Sequence, residues 1–138
     1  MIAVDSGFLF ALADADDAWH ERAQAMAGTA EQGWITTWPV LAECCHLLQS
    51  RLGPAFASGL IDEVAGGGIA VWSPSLQELA GLPILMRKYA KLPMDLADGS
   101  LVLLAEHLGH GRILSTDQRD FGAYRWKNRK PFHNLLAQ

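Results

Sequence analysis

Short apolar runs alternate along the chain with stretches whose apolar residues recur at helical spacing. Residues 2–4 (Ile-Ala-Val) have the pattern of a short buried strand ending at Asp5 and Ser6, and the apolar stretch from Phe8 to Ala13 continues as one or two helical turns. Asp16 and Asp17 offer N-caps for a helix to about Ala27, with Gly28 as its stop. Residues 34–36 read as a second strand. Thr37 or Trp38 caps the next helix, and Pro39 sits in its first turn, where a missing N–H costs nothing; the helix runs to Leu52, ahead of Gly53 and Pro54. A further helix spans Pro54 to Ala65 and stops at Gly66, Gly67 and Gly68. Ile69 to Trp72 is the third strand, and Ser75 with Glu78 makes a capping box for a helix to about residue 90. Pro93 breaks the chain. Asp95 caps a helix to about Leu108, closed by Gly109 and Gly111, and residues 112–115 form a fourth strand ending at Thr116 and Asp117.

Strands separated by helical stretches of ten residues or more need crossover connections, so the pattern predicts an α/β fold: a mainly parallel sheet with helices on both faces. No repeat, low-complexity tract or compositional shift divides residues 1–138, and one domain is expected.

With 50% hydrophobic and 19% charged residues, 138 residues can bury one sizeable core. No apolar run approaches the roughly 18 residues of a membrane span, and the first residues lack a secretory pattern, so a soluble, cytoplasmic protein is expected. Cys44 and Cys45 are adjacent, with no loop to close and no metal-ligand spacing, and read as small apolar helix residues. The net charge of −4 hides an asymmetry. Between residues 119 and 130 five basic residues (Arg119, Arg125, Lys127, Arg129, Lys130) face one acid, Asp120, while residues 1–118 carry six basic and fourteen acidic ones. The body is acidic and the C-terminal segment basic.

Four acids stand out. Asp5 and Asp117 each follow a strand, and ligands of open parallel sheets bind outside the strands' carboxyl ends, although an aspartate there is also an ordinary cap or turn residue. Asp98 shares its helix face with Val102, Ala105 and Gly109, which draws its carboxylate against the sheet, where an unpaired charge costs several kcal/mol. Glu43, with Val40 before it and Leu47 after it, borders an apolar stripe and can reach inward. Four carboxylates brought together repel one another unless a divalent cation joins them. All-oxygen ligation suits Mg²⁺ or Mn²⁺, whereas zinc would want clustered His and Cys; the five histidines (His20, His46, His107, His110, His133) are scattered. Hard cations held by carboxylates point to phosphate-ester chemistry.

The strings Val4-Asp5-Ser6-Gly7-Phe8-Leu9, Leu41-Ala42-Glu43, Leu96-Ala97-Asp98 and Ser115-Thr116-Asp117-Gln118-Arg119-Asp120-Phe121 resemble, in order and spacing, the PIN-domain family, most closely VapC-type ribonuclease toxins of bacterial type II toxin-antitoxin pairs. The resemblance implies an α/β/α sandwich around a central, mainly parallel sheet of four to five strands. It also implies a metal-dependent endoribonuclease in which Asp5, Glu43, Asp98 and Asp117 are the catalytic and Mg²⁺- or Mn²⁺-binding residues. Ser6, Asp95, Thr116 and Asp120 would support them, with Asp95 also explained as an N-cap. The family's usual alanine after the helix aspartate is Gly99 here, which by propensity loosens that helical position by about 1 kcal/mol. Implied partners are an RNA substrate, a cognate antitoxin and a second copy in a homodimer.

The stretch Tyr124, Arg125, Trp126, Lys127 interleaves aromatic and basic residues as single-stranded RNA grooves do, and Arg125, Trp126, Lys127 and Arg129 are the candidate RNA-binding residues; the other reading is a surface strand or loop with Trp126 packed on the body. Three further functions compete: a PIN-like nuclease outside a toxin-antitoxin pair, a PIN-like binding module with a degenerate site, and a phospho-accepting receiver domain. The receiver needs an acidic pair at the first strand and a lysine after the last, and here Asp5 stands alone.

Overall fold

The structure, a computed structural model, describes residues 1–28 and 31–137. Its strands in chain order are β1 (Ile2–Val4), β2 (Trp34–Thr37), β3 (Ile69–Trp72), β4 (Arg112–Leu114), β5 (Arg125–Trp126), β6 (Lys130–Pro131) and β7 (His133–Asn134). The helices are α1 (Ser6–Ala13), α2 (His20–Ala27), α3 (Trp38–Arg51), α4 (Pro54–Ala65), α5 (Leu76–Leu79), α6 (Leu82–Lys88), α7 (Leu96–Leu108) and α8 (Gln118–Ala123). Five strands form a parallel sheet in the order β3-β2-β1-β4-β7, flanked by the helices, and β5 and β6 pair as a separate antiparallel hairpin.

β1 is the middle strand. Ala3 lies opposite both Ile35 of β2 and Ile113 of β4, and with two neighbours its residues must be apolar; Ala3 and Val4 are buried. The chain builds outward from β1 through β2 to β3, then crosses back to place β4 on the other side. This reversal makes the carboxyl ends of β1 and β4 the switch point of the sheet, where the helices that follow diverge and leave a crevice. Asp5 and Asp117 follow those two strands.

α7 crosses this sheet as its most deeply buried helix, with Ala97, Leu101, Val102, Leu103, Leu104 and Ala105 all inaccessible and Gly109 ending it at φ 77°. Gly99 has a packing role here rather than a loosening one. A Cβ on it would come within 2.3 Å of Leu82 Cδ1, so the Leu82 side chain of α6 packs into the space that the missing side chain leaves.

Three elements depart from the periodicity. α2 begins at His20 rather than beside Asp16, because the Asp14 and Asp17 carboxylates accept from the backbone N–H groups of Asp16 (3.0 Å) and Trp19 (2.8 Å) and hold residues 14–19 in turns. The capping box of Ser75 and Glu78 forms as read, but its helix ends at Leu79. Pro83 has no N–H for the Leu79 carbonyl, so a second helix, α6, starts with that proline in its first turn. After Asp117 the chain adds α8, the hairpin and β7. Among the described residues no helix is long and apolar enough to cross a membrane.

Candidate active site

A crevice of 340 Å³ opens at the switch point, and Asp5, Glu43, Asp95, Asp98, Asp117 and Asp120 all line it, together with Ser6 and Thr116. The chain has drawn three of these side chains inward by using them first as local structure. Asp5 caps α1, its Oδ1 accepting from Phe8 N–H at 2.8 Å. Asp117 caps α8 through Asp120 N–H (3.0 Å), and Asp95 caps α7 through Asp98 N–H (2.8 Å). Capping and site membership therefore coincide: a cap occupies one oxygen and aims the carboxylate at the helix's positive end, leaving capacity on the other.

Glu43 and Asp98 come from facing helices. Thr37 caps α3 (3.5 Å to Val40 N–H) and also meets Ser100 of α7 at 2.6 Å, which fixes α3 against α7. Ser6, in the first turn of α1, donates to Glu43 Oε1 at 2.5 Å. Thr116 comes so close to Gly7 that a Cβ there would lie 2.0 Å from its Oγ1. A side chain at position 7 would displace the Thr116 side chain from beside Asp5.

Three further residues complete the site: Ser115 and Asn134, to which sequence reasoning gave no role, and Tyr124, which it placed in the aromatic-basic segment instead. Ser115 donates its hydroxyl to Asp5 Oδ2 and accepts from Asp117 N–H (2.9 Å), joining the two strand-end aspartates through one side chain. Asn134 of β7 holds Ser115 in turn, its Oδ1 accepting from Ser115 N–H (3.1 Å) and its Nδ2 donating to Ser115 carbonyl (2.9 Å). Tyr124 donates to Asp98 Oδ2 at 3.2 Å. Ser115 lay within a motif, but Asn134 and Tyr124 reach the site across 19 and 26 residues of chain, with no local signal.

The electrostatics follow from burial. Asp5 is 7% exposed, and loss of water raises its pKa to about 6, with the charges of Asp117 and Glu43 adding to the rise against the hydrogen bonds from Ser115 and Phe8. Asp98 rises to about 7, again chiefly through burial and then through Asp95. Asp117 is also raised, by desolvation first, with the Asp120 charge contributing. Asp120 is itself buried against the crevice, and among the described residues its ion pair is with Arg119 Nε at 3.1 Å, a side chain 77% exposed. The charge of this cluster is thus mostly uncompensated by the protein.

Among the described residues no three His, Cys, Asp or Glu side chains stand together at the spacing of ligands on one ion. The donors are nonetheless all oxygen, and Mg²⁺ keeps several waters and needs only one or two carboxylates in direct contact, so this chemistry fits a hard, hydrated divalent cation. Asp5, Glu43, Asp98 and Asp117 are the residues that could hold it. A second cavity of 340 Å³, lined by Leu9, Leu12, Trp34, Leu48 and Phe56, is apolar apart from Glu63 and Trp34.

The basic segment is ordered differently from the RNA-stacking expectation. Trp126 is 7% exposed, with its Nε1 donating to the Pro131 carbonyl (3.1 Å) in the space left by Gly111, so its ring is not a platform for bases. Arg125 turns its Nη1 onto the carbonyls of Gly122, Ala123 and Tyr124 and closes the end of α8. Lys127 and Arg129 project from the hairpin, with Lys127 and Asn128 taking positive φ at the turn, and Lys130 covers the Trp126 ring at 4.9 Å.

Asp95 gives a discriminating substitution. Asp95→Ala removes the α7 cap and is expected to lower stability by about 1 kcal/mol while most catalytic activity remains, as urea denaturation and a cleavage assay would record. Inactivity matching that of an Asp98 variant would instead place Asp95 in the reaction.

No family model matches the chain. A curated protein of Mycobacterium tuberculosis, Ribonuclease VapC26, is 25% identical over 122 residues, covering 88% of this chain and 90% of that one. The crystal structure of M. tuberculosis VapC20, described as a toxin that cleaves the sarcin-ricin loop, superposes with a TM-score of 0.79 at 19% identity, over 86% of this chain and 92% of its own.

Proposed function

We propose, from the premise that this chain is a VapC-type member of the PIN-domain family, that it is the ribonuclease toxin of a toxin-antitoxin pair and cleaves RNA phosphodiesters with a divalent cation, Mg²⁺ or Mn²⁺. The observation that carries the chemistry is the convergence of Asp5, Glu43, Asp98 and Asp117 in one crevice at the switch point, where among the described residues a single exposed arginine pairs an acid. When bound, the cation would supply Lewis-acid stabilisation of the phosphate and a more acidic attacking water. The chain's own part is to hold four carboxylates on rigid element ends. Ser6 orients Glu43, Ser115 and the cap on Phe8 orient Asp5, the cap on Asp120 orients Asp117, and Tyr124 donates to Asp98.

The proposed mechanism is an in-line attack of water on phosphorus that breaks the P–O3′ bond and leaves a 5′-phosphate and a 3′-hydroxyl, the water losing its proton to solvent and the leaving 3′ oxygen taking one up. A cognate antitoxin and a second copy of the chain are the protein partners in this reading. It is tested by incubating purified chain with RNA in EDTA and then with Mn²⁺ or Mg²⁺. Cleavage dependent on the metal supports it, and none under any condition identifies a binding module with a degenerate site.

The hairpin supplies the positive charge that an acidic protein needs to hold RNA, through Lys127 and Arg129. Replacing both with alanine is expected to weaken RNA binding at low salt and to reduce the slope of log affinity against log salt by about 0.7 for each single-strand phosphate no longer neutralised. Metal affinity stays the same. An unchanged slope assigns the hairpin to packing or to a protein partner. Trp126→Ala is expected to destabilise the fold, since its ring is buried.

A further inference from the structure

Asp98 is held from behind. Tyr124 follows α8, is fully buried at 0% exposure, and does not line the crevice. Its ring is fixed edge-on between Tyr89 (centroids 5.0 Å apart, 73° between planes) and Phe121 (5.3 Å, 89°). On the same side, the Tyr89 hydroxyl accepts from Arg125 N–H at 3.0 Å, which pins the backbone next to the ring. The Tyr124 hydroxyl has two acceptors: Asp98 Oδ2 at 3.2 Å and the Leu92 carbonyl at 3.5 Å.

Packing alone does not account for this hydroxyl. Phenylalanine would fill the same aromatic slot, and a buried O–H without a partner is a liability, so the polar atom is tolerated because Asp98 and Leu92 receive it. Of the two acceptors, the carboxylate is nearer and, when ionised, binds a donor more strongly. The hydrogen bond immobilises one carboxylate oxygen of a side chain that otherwise projects from the first turn of α7.

We propose that Tyr124 is a positioning residue for the metal site: its hydroxyl turns Asp98 Oδ2 toward the protein and leaves the other oxygen for the cation. This rests on the divalent-cation reading of the crevice. Tyr124 touches neither substrate nor cation, and acts through the angle at which Asp98 is presented. Groups that orient a metal ligand from behind in this way set metal affinity, with losses of about 10- to 100-fold when they are removed.

The test is Tyr124→Phe, which keeps the ring and deletes the hydroxyl. Isothermal titration of the metal-free chain with Mn²⁺ is expected to show affinity lowered by about 10-fold or more. The Mn²⁺ concentration for half-maximal RNA cleavage rises with it, while kcat at saturating Mn²⁺ changes little. In an Asp98→Asn background, Tyr124→Phe is expected to leave the residual Mn²⁺ affinity where it was, because the hydroxyl acts only through Asp98; an equal loss in both backgrounds would show a general structural role and overturn the assignment. Equal Mn²⁺ affinity in wild type and Tyr124→Phe overturns it while leaving the metal site intact. A Tyr124→Phe chain that no longer folds, by circular dichroism, also overturns it by making the hydroxyl a determinant of the fold. Absence of Mn²⁺ binding by the wild-type chain overturns the metal reading and this inference together.

Discussion

Asp98→Asn and Asp5→Asn are each expected to lower RNA cleavage by more than about 100-fold, beyond the range seen when only the surroundings of a metal ligand are altered. Both variants keep the shape of the side chain. In Asp5→Asn the Oδ1 cap on Phe8 N–H survives, and the Ser115 hydroxyl, which now donates to Oδ2, can rotate to accept from the new amide. In Asp98→Asn the Tyr124 hydroxyl can donate to the amide oxygen if the side chain places it there. What each variant loses is one negative charge from a crowded, poorly compensated cluster. The metal-free variants are therefore expected to be as stable as the wild type or more so, by thermal denaturation in EDTA. Activity retained by both would remove Asp5 and Asp98 from the site.

Stability of the metal-free chain is expected to fall as pH rises from about 4 to 8, the opposite of a protein whose carboxylates are well paired. Asp5 and Asp98 have folded-state pKa values of about 6 and about 7, above the 3.8 of a free aspartate, so between those values the folded chain binds more protons than the unfolded one. Linkage then makes unfolding easier with each step up in pH: the stabilisation is complete below pH 4 and is lost as pH climbs through 6 for Asp5 and 7 for Asp98. For Asp5 the shift of about two units corresponds to about 3 kcal/mol. Urea denaturation in EDTA at pH 5 and pH 8 would measure it, with Asp5→Asn as the control whose slope should be flatter. Mn²⁺ added at pH 8 is expected to restore stability, since a cation that binds only the folded chain offsets the same repulsion. A slope identical in wild type and Asp5→Asn would mean that Asp5 does not carry the burden assigned to it.

Local chemistry in the sequence was enough to determine most elements and to single out the four acids that the fold brings to one crevice. Ile2–Val4, Ile69–Trp72 and Pro54–Ala65 form where their apolar patterns and breakers place them, and Thr37, Ser75 and Asp95 cap the helices expected of them, because caps and periodicity act over a few residues. The inward lean of Asp98 was legible from its shared face with Val102 and Ala105. Tertiary structure alone decided what joins the acids. Ser115, bonded locally to Asp117, reaches Asp5 across 110 residues, Asn134 returns from near the end of the chain to hold Ser115, and Tyr124 reaches Asp98, through hydrogen bonds whose partners lie far apart in sequence. It also decided the fate of the C-terminal segment. Alternating aromatic and basic residues read equally well as an RNA track or as a packed hairpin, and only the space left by Gly111 determined that Trp126 turns inward while Lys127 and Arg129 remain in solvent. The physical reason is the same throughout: propensity and capping depend on neighbours along the chain, whereas the orientation of a buried polar side chain depends on whichever donor the finished fold brings beside it.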